Sequence, residues 1–146
     1  FQTVDRILEM DERSLLTLGH GTRAPDFVAV EREAGWAFDP GLIDGMLHTV
    51  WMWSRAIQGA SALPSSIKAV RRFSGNPLNG PLTIQGHILS EPQDPSIVST
   101  LRAWDAEGAL CYEIEAFRGQ SSRALNRISG GWAGGERDRS VMEAAQ

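Results

Sequence analysis

The chain is short of several things, and each shortage closes a class of function. It has one cysteine, Cys111, so an intramolecular disulfide and a multi-cysteine zinc site are both excluded. It has no basic excess: 14 Lys+Arg against 18 Asp+Glu leave a formal net charge of −4 over 146 residues. Nucleic acids and anionic membranes both call for a positive surface, so neither is an expected partner. Apolar runs fall far short of the roughly 20 residues that span a bilayer. Phe1-Gln2-Thr3-Val4 carries no initiator Met, basic stretch or apolar h-region, and does not read as a signal peptide. A chain opening in mid-pattern is expected to be part of something longer. With no leader and no cysteine pair, the expected compartment is the cytoplasm. Gly130-Gly131 and Gly134-Gly135 precede no helix that would make them a phosphate loop. What remains is an ordinary globular composition, 42% apolar and 22% charged, at a length that suits one domain.

Residues 3–10 carry Val4, Ile7 and Leu8, a spacing that suits either a strand or a helix. Asp11-Glu12-Arg13 turns the chain into 14–18, and Gly19-His20-Gly21 reads as a breaker. Phe27, Val28 and Val30 predict a short strand over 26–31. Asp39-Pro40 is a helix start, a capping residue followed by proline at the first helical position. Ile43, Met46, Leu47, Val50 and Trp53 recur at three- and four-residue spacing out to Ile57, with Gly59 as the stop and 61–64 as a loop. This helix is apolar round most of its circumference, which predicts burial on several sides. Strands are expected over 66–73, 82–89, 97–104 and 110–117. Leu82, Ile84, Gly86 and Ile88 should share one face, and Asp105-Ala106-Glu107-Gly108 should form a hairpin turn. Residues 1–119 then read as one domain and 120–146 as a flexible tail or linker. A long central helix wrapped by an antiparallel sheet, with no βαβ alternation, is α+β.

Ionisable residues on so apolar a helix need a reason. Asp44 and His48 are four apart and project from one face, with Arg55 near the same stripe. A buried carboxylate is costly unless hydrogen-bonded, and burial raises its pKa. Beside an imidazole it would make a proton-transfer pair. The plainer reading has Asp44 bonding a loop backbone and His48 satisfying a hydrogen bond in the core. Spacing alone leaves both open. Trp53 suits the core better than a channel wall, and Cys111, with no histidine at a useful spacing, suits a buried structural thiol.

Phe38-Asp39-Pro40-Gly41-Leu42-Ile43-Asp44-Gly45-Met46-Leu47-His48 resembles the HPxLLDxxxQ/H segment of polyketide synthase dehydratase domains. Phe1-Gln2 resembles the GPxFQ that opens the second half of those domains, and Leu63-Pro64-Ser65-Ser66-Ile67 their LPxxI stretch. Trp104-Asp105-Ala106-Glu107-Gly108 resembles the start of their final hairpin. In order and spacing the likeness covers about residues 1–119. It implies a hot-dog fold, here the C-terminal half of a double hot dog.

The resemblance also implies a chemistry. Such dehydratases remove water from a 3-hydroxyacyl thioester held on the phosphopantetheine arm of an acyl carrier protein, giving an enoyl product, with no other cofactor and no metal. A histidine of the first half takes the α-proton, and the aspartate of the second protonates the leaving hydroxyl. Asp44 matches that general acid and His48 the Gln/His position that orients it. The implied partners are the carrier protein and the N-terminal hot-dog half. Lys68 with Arg71-Arg72 is a short basic cluster that either meets the acidic carrier or is a solvated edge. Two departures stand out. Asp39 replaces the usual His before Pro, and the HxxxGxxxxP motif of the catalytic base is absent around His20, His48 and His87. This chain alone is therefore expected to hold the acid and lack the base. The alternatives are a product-template or cyclase-type module, a non-catalytic double hot dog, or a free-standing hot dog that homodimerises.

Overall fold

The computed structural model describes residues 3–22, 37–74, 78 and 80–127. Its element order is β1 (Val4–Met10), β2 (Ser14–His20), α1 (Pro40–Trp53), a π-helical turn (Ser54–Gln58), β3 (Ser61–Ser66), β4 (Ala69–Arg72), β5 (Pro81–Ile88), β6 (Ser96–Trp104), β7 (Leu110–Ser122) and a 3-10 turn (Arg123–Arg127). The strand expected over 26–31 lies outside the described residues. All strand pairs are antiparallel, in the order β1-β2-β5-β6-β7-β3, with β4 also paired to β7. One helix on an antiparallel sheet is the expected α+β arrangement.

The helix starts where its capping chemistry sits. Asp39 Oδ1 accepts from Leu42 N–H at 2.9 Å, and Asp39 Oδ2 accepts from Thr22 N–H at 2.6 Å. Asp39 N–H in turn donates to Tyr112 Oη at 3.0 Å, which fastens the start of α1 to β7. The carboxylate is 2% exposed and its oxygens are fully engaged, so the burial is compensated. Leu42, Met46, Val50 and Trp53 pack into a core with Leu15, Leu82, Ile84, Ile88, Ile97, Leu101, Ile114 and Phe117. Trp53 donates its indole N–H to Asp11 O at 3.0 Å, so the largest core side chain is also polar-satisfied. Gly45 lets α1 approach the first strand closely, because a Cβ there would lie 2.3 Å from Thr3 Oγ1.

After Trp53 the helix widens into the π-turn and ends at Gly59, whose φ of 63° is left-handed and suits glycine. Ser54 Oγ donates to Ala60 O at 2.7 Å and Gln58 Nε2 to Pro92 O and Asp94 O, both at 2.9 Å.

Three expectations need correction. Gly19 and His20 do not break the chain but complete β2, paired with Leu82 and Pro81 of β5. Residues 61–64 are not a loop: they are the first part of β3, because β7 supplies a ladder from Gly119 to Ser122. The expected domain end at Gly119 therefore falls inside β7, which is followed by the 3-10 turn Arg123–Arg127. Residues 128–146 of the expected tail lie outside the described residues. Elsewhere the alternation holds: Leu82, Ile84 and Ile88 are 0–1% exposed, and Asp105 N–H meets Ala109 O at 3.0 Å in the hairpin.

β7 serves two partners by bending. Its pairing with β6 slips between Ser99↔Phe117 and Leu101↔Ile114, leaving one extra residue on β7. Ala116 takes φ 47° in this bulge, a left-handed conformation that costs a non-glycine residue on the order of 1 kcal/mol. On one side of the bend β7 pairs with β4, and on the other with β3.

Candidate active site

The helix that the sequence predicts as buried on several sides is buried on one. Gly41, Leu42, Gly45, Met46, Thr49, Val50 and Trp53 face the sheet. Asp44 and His48 lie on the opposite face, their side chains 57% and 54% exposed, with Ile43, Leu47 and Trp51 half-buried beside them. The expected burial of Asp44 on this helix is therefore corrected. Ile43 and Leu47 pack partly against the core and stay half-buried, as does Trp51, so this face is only partly covered among the described residues.

The structure does bring the two predicted residues together. His48 Nδ1 lies 3.5 Å from Asp44 Oδ2, the geometry that i,i+4 spacing on a helix allows. Trp51 meets the His48 ring edge-on, centroids 6.4 Å apart. Among the described residues, neither the carboxylate nor the imidazole bonds a loop backbone or the core. The pair stands at a groove of about 410 Å³ between the open face of α1 and the inner end of β3. Leu47, Trp51, Ala62, Leu63, Phe117 and Leu125 make most of its wall apolar. A groove of that size with two convergent polar groups suits a small or chain-like apolar ligand. Leu63, Phe117, Leu125 and the β3 edge are what the sequence reading misses here. Only LPxxI hinted at them.

The remaining candidates fall into structural roles. Arg55 sits on the π-turn, with Nη1 buried and unpartnered among the described residues. His20 pairs with Asp5 at 3.3 Å on the first hairpin. Cys111 is fully buried, as expected of a structural thiol. The basic cluster is not a free patch. Lys68 is bonded to Glu115, Arg71 lies 3.1 Å from Glu113 and 2.5 Å from Glu115, and Arg72 donates to Ala37 O at 2.6 Å. Hydrogen bonds from Lys68 and then Arg71 hold the Glu115 carboxyl below its ordinary pKa. No trio of metal-ligating side chains is gathered among the described residues, and no described helix is long and apolar enough to cross a membrane.

Comparison with known structures places this arrangement among hot-dog folds. The dehydratase domain from the CurJ module of the curacin polyketide synthase superposes with a TM-score of 0.62 at 13% identity, over 84% of this chain and 42% of that one. This chain thus spans less than half of that dehydratase domain. A mutant of the thioesterase SAV0944 from Staphylococcus aureus gives a TM-score of 0.62 at 10% identity, over 80% and 92% of the two chains. A hypothetical thioesterase of Streptococcus pneumoniae solved with coenzyme A gives 0.58 at 13%, over 80% and 84%. At such identities the likeness establishes the hot-dog fold alone. Comparison with curated proteins finds no match. The family model described as "Polyketide synthase dehydratase N-terminal domain" matches residues 1–127 of the 146-residue chain. The chain therefore belongs to the polyketide synthase dehydratase family.

Proposed function

We propose that this chain is the acid-bearing hot dog of a dehydratase that acts on a 3-hydroxyacyl thioester delivered by an acyl carrier protein in the cytoplasm. The observation that carries the reading is the Asp44–His48 pair, 3.5 Å apart, at the mouth of an otherwise apolar groove. In the elimination, a base removes the α-proton, electrons form the α,β double bond, and the C3–O bond breaks. The leaving oxygen must receive a proton to depart as water, and Asp44 is placed to give it. His48 holds the carboxyl in orientation from one helical turn away. The groove takes the acyl chain and keeps water from its length.

A second hot dog covering this face would enclose the groove and take the Asp44 side chain, 57% exposed here, out of open solvent. The same second hot dog would supply the base. We place this chain as the second, C-terminal half, although the matching family model is described as the N-terminal domain. The reasons lie in the residues: Asp44-x-x-x-His48 stands on the central helix, and none of His20, His48 and His87 is followed by the Gly and Pro of HxxxGxxxxP.

The test is dehydration of a 3-hydroxyacyl carrier-protein thioester by this chain joined to a base-bearing hot dog. A product lighter by one water is expected, and this chain alone should be inactive. Substrate returned unchanged by the reunited pair, or full activity with Asp44→Asn, overturns the proposal.

A further inference from the structure

The segment that reads as the start of a loose tail contributes Leu125 to the lining of the groove. Residues 120–122 complete β7, and Arg123–Arg127 coil back over the start of β3. Asn126 fastens the turn there with both ends of its side-chain amide. Its Oδ1 accepts from Ser61 N–H at 2.7 Å, and its Nδ2 donates to Gly59 O at 3.1 Å. These two backbone groups flank the point where the chain leaves α1 for β3, so the clamp ties the turn to the frame of the groove. It sets Leu125 in the groove wall, next to Ser61 and Ala62. Asp44 lies towards the other end, about 10 Å along the helix from Trp51 at 1.5 Å per residue.

We propose that Leu125, positioned by Asn126, is the end wall of the groove and fixes the length of acyl chain accepted alongside Asp44. The inference rests on the acyl reading of the groove given above. Phe117 also lines that space, but at 2% exposure it belongs to the core and cannot vary without disturbing the fold. Leu125 stands on a half-buried turn, where a change of volume alters the groove and little else. Each methylene that enters an apolar groove tightens binding about fourfold. The gain stops at the length where the chain tip meets the wall.

Calorimetric titration of the chain with straight-chain S-acyl pantetheine thioesters, butanoyl to tetradecanoyl, tests this. Affinity should climb about fourfold per methylene and then level off. Leu125→Ala should move that break to longer chains, and Leu125→Phe to shorter ones. Asn126→Ala, by releasing the turn, should blur the break while thermal unfolding remains cooperative. A break at the same length in wild type and both Leu125 variants overturns the assignment of the wall and leaves the acyl reading standing. No binding by any thioester overturns the acyl reading and the wall with it.

Discussion

The two faces of α1 differ in almost every respect that matters. One face is glycine, leucine, methionine, valine and tryptophan packed to 0–1% exposure for its large side chains. The other mixes Ile43, Leu47 and Trp51 with an exposed aspartate and histidine. The first face holds the sheet together, and the second faces a groove. A single helix thus separates the face that holds the fold from the face that bears the proposed chemistry by a half-turn of rotation. Substitutions on the two faces should be felt in different measurements.

The sharpest way to break that division is with the two tryptophans, two residues apart. Trp53→Ala should cost about 3–5 kcal/mol of stability in urea unfolding, through its cavity and the lost bond to Asp11 O. Trp51→Ala, on the groove, should cost under about 1 kcal/mol. Similar losses would mean that both faces carry the fold. Asp44→Asn is the converse. Dehydration by the reunited domain should drop about 10²–10⁴-fold, while the unfolding midpoint moves by less than about 0.5 kcal/mol in equivalent stability.

A smaller effect is expected from Gly45→Ala. The new methyl would collide with Thr3 Oγ1 on the packed face, at a cost of about 1–3 kcal/mol, of which better helix propensity recovers about 1 kcal/mol. Chemical denaturation of that variant reads the balance, and a stabilised protein would show that Thr3 gives way.

The smallest effect lies away from the helix, at Glu115 on β7 and Asp11 in the turn between β1 and β2. Glu115, through Lys68 and Arg71, and Asp11, chiefly through the backbone N–H of Arg13, both titrate below their ordinary values. The unfolded chain therefore binds more protons than the folded one as pH falls through about 4. This contribution is complete above the ordinary carboxylate pKa and fades with acidification below it. Melting temperature followed from pH 6 downward in wild type and Glu115→Gln should show a slightly shallower acid decline in the variant. Parallel curves would mean that the ion pairs are idle.

The helix start and the closeness of Asp44 to His48 are legible in the sequence, for a local reason. Asp39-Pro40 announces the helix by capping chemistry, and four-residue spacing places Asp44 beside His48 whatever surrounds them. Residues 61–64 were not readable, since Leu63-Pro64-Ser65-Ser66 has little strand character of its own and becomes a strand only because β7 offers a ladder. The exposure of Asp44 was misread for a related reason. Apolar residues on both faces of a helix predict burial, but they do not say which neighbour, in this chain or in another, provides it.

What the sequence determined by itself is the set of short-range relations: where α1 begins, which residues share its faces, where the hairpin turns, and that one carboxylate and one imidazole stand together. Tertiary structure decided which face of α1 is sealed, that β7 runs past Gly119 to Ser122, and that Leu125 joins β3 in lining the groove. The physical reason is range. Helical periodicity is fixed by the 3.6-residue turn of one segment, whereas burial and pairing depend on backbone groups and side chains that distant segments bring to the same place.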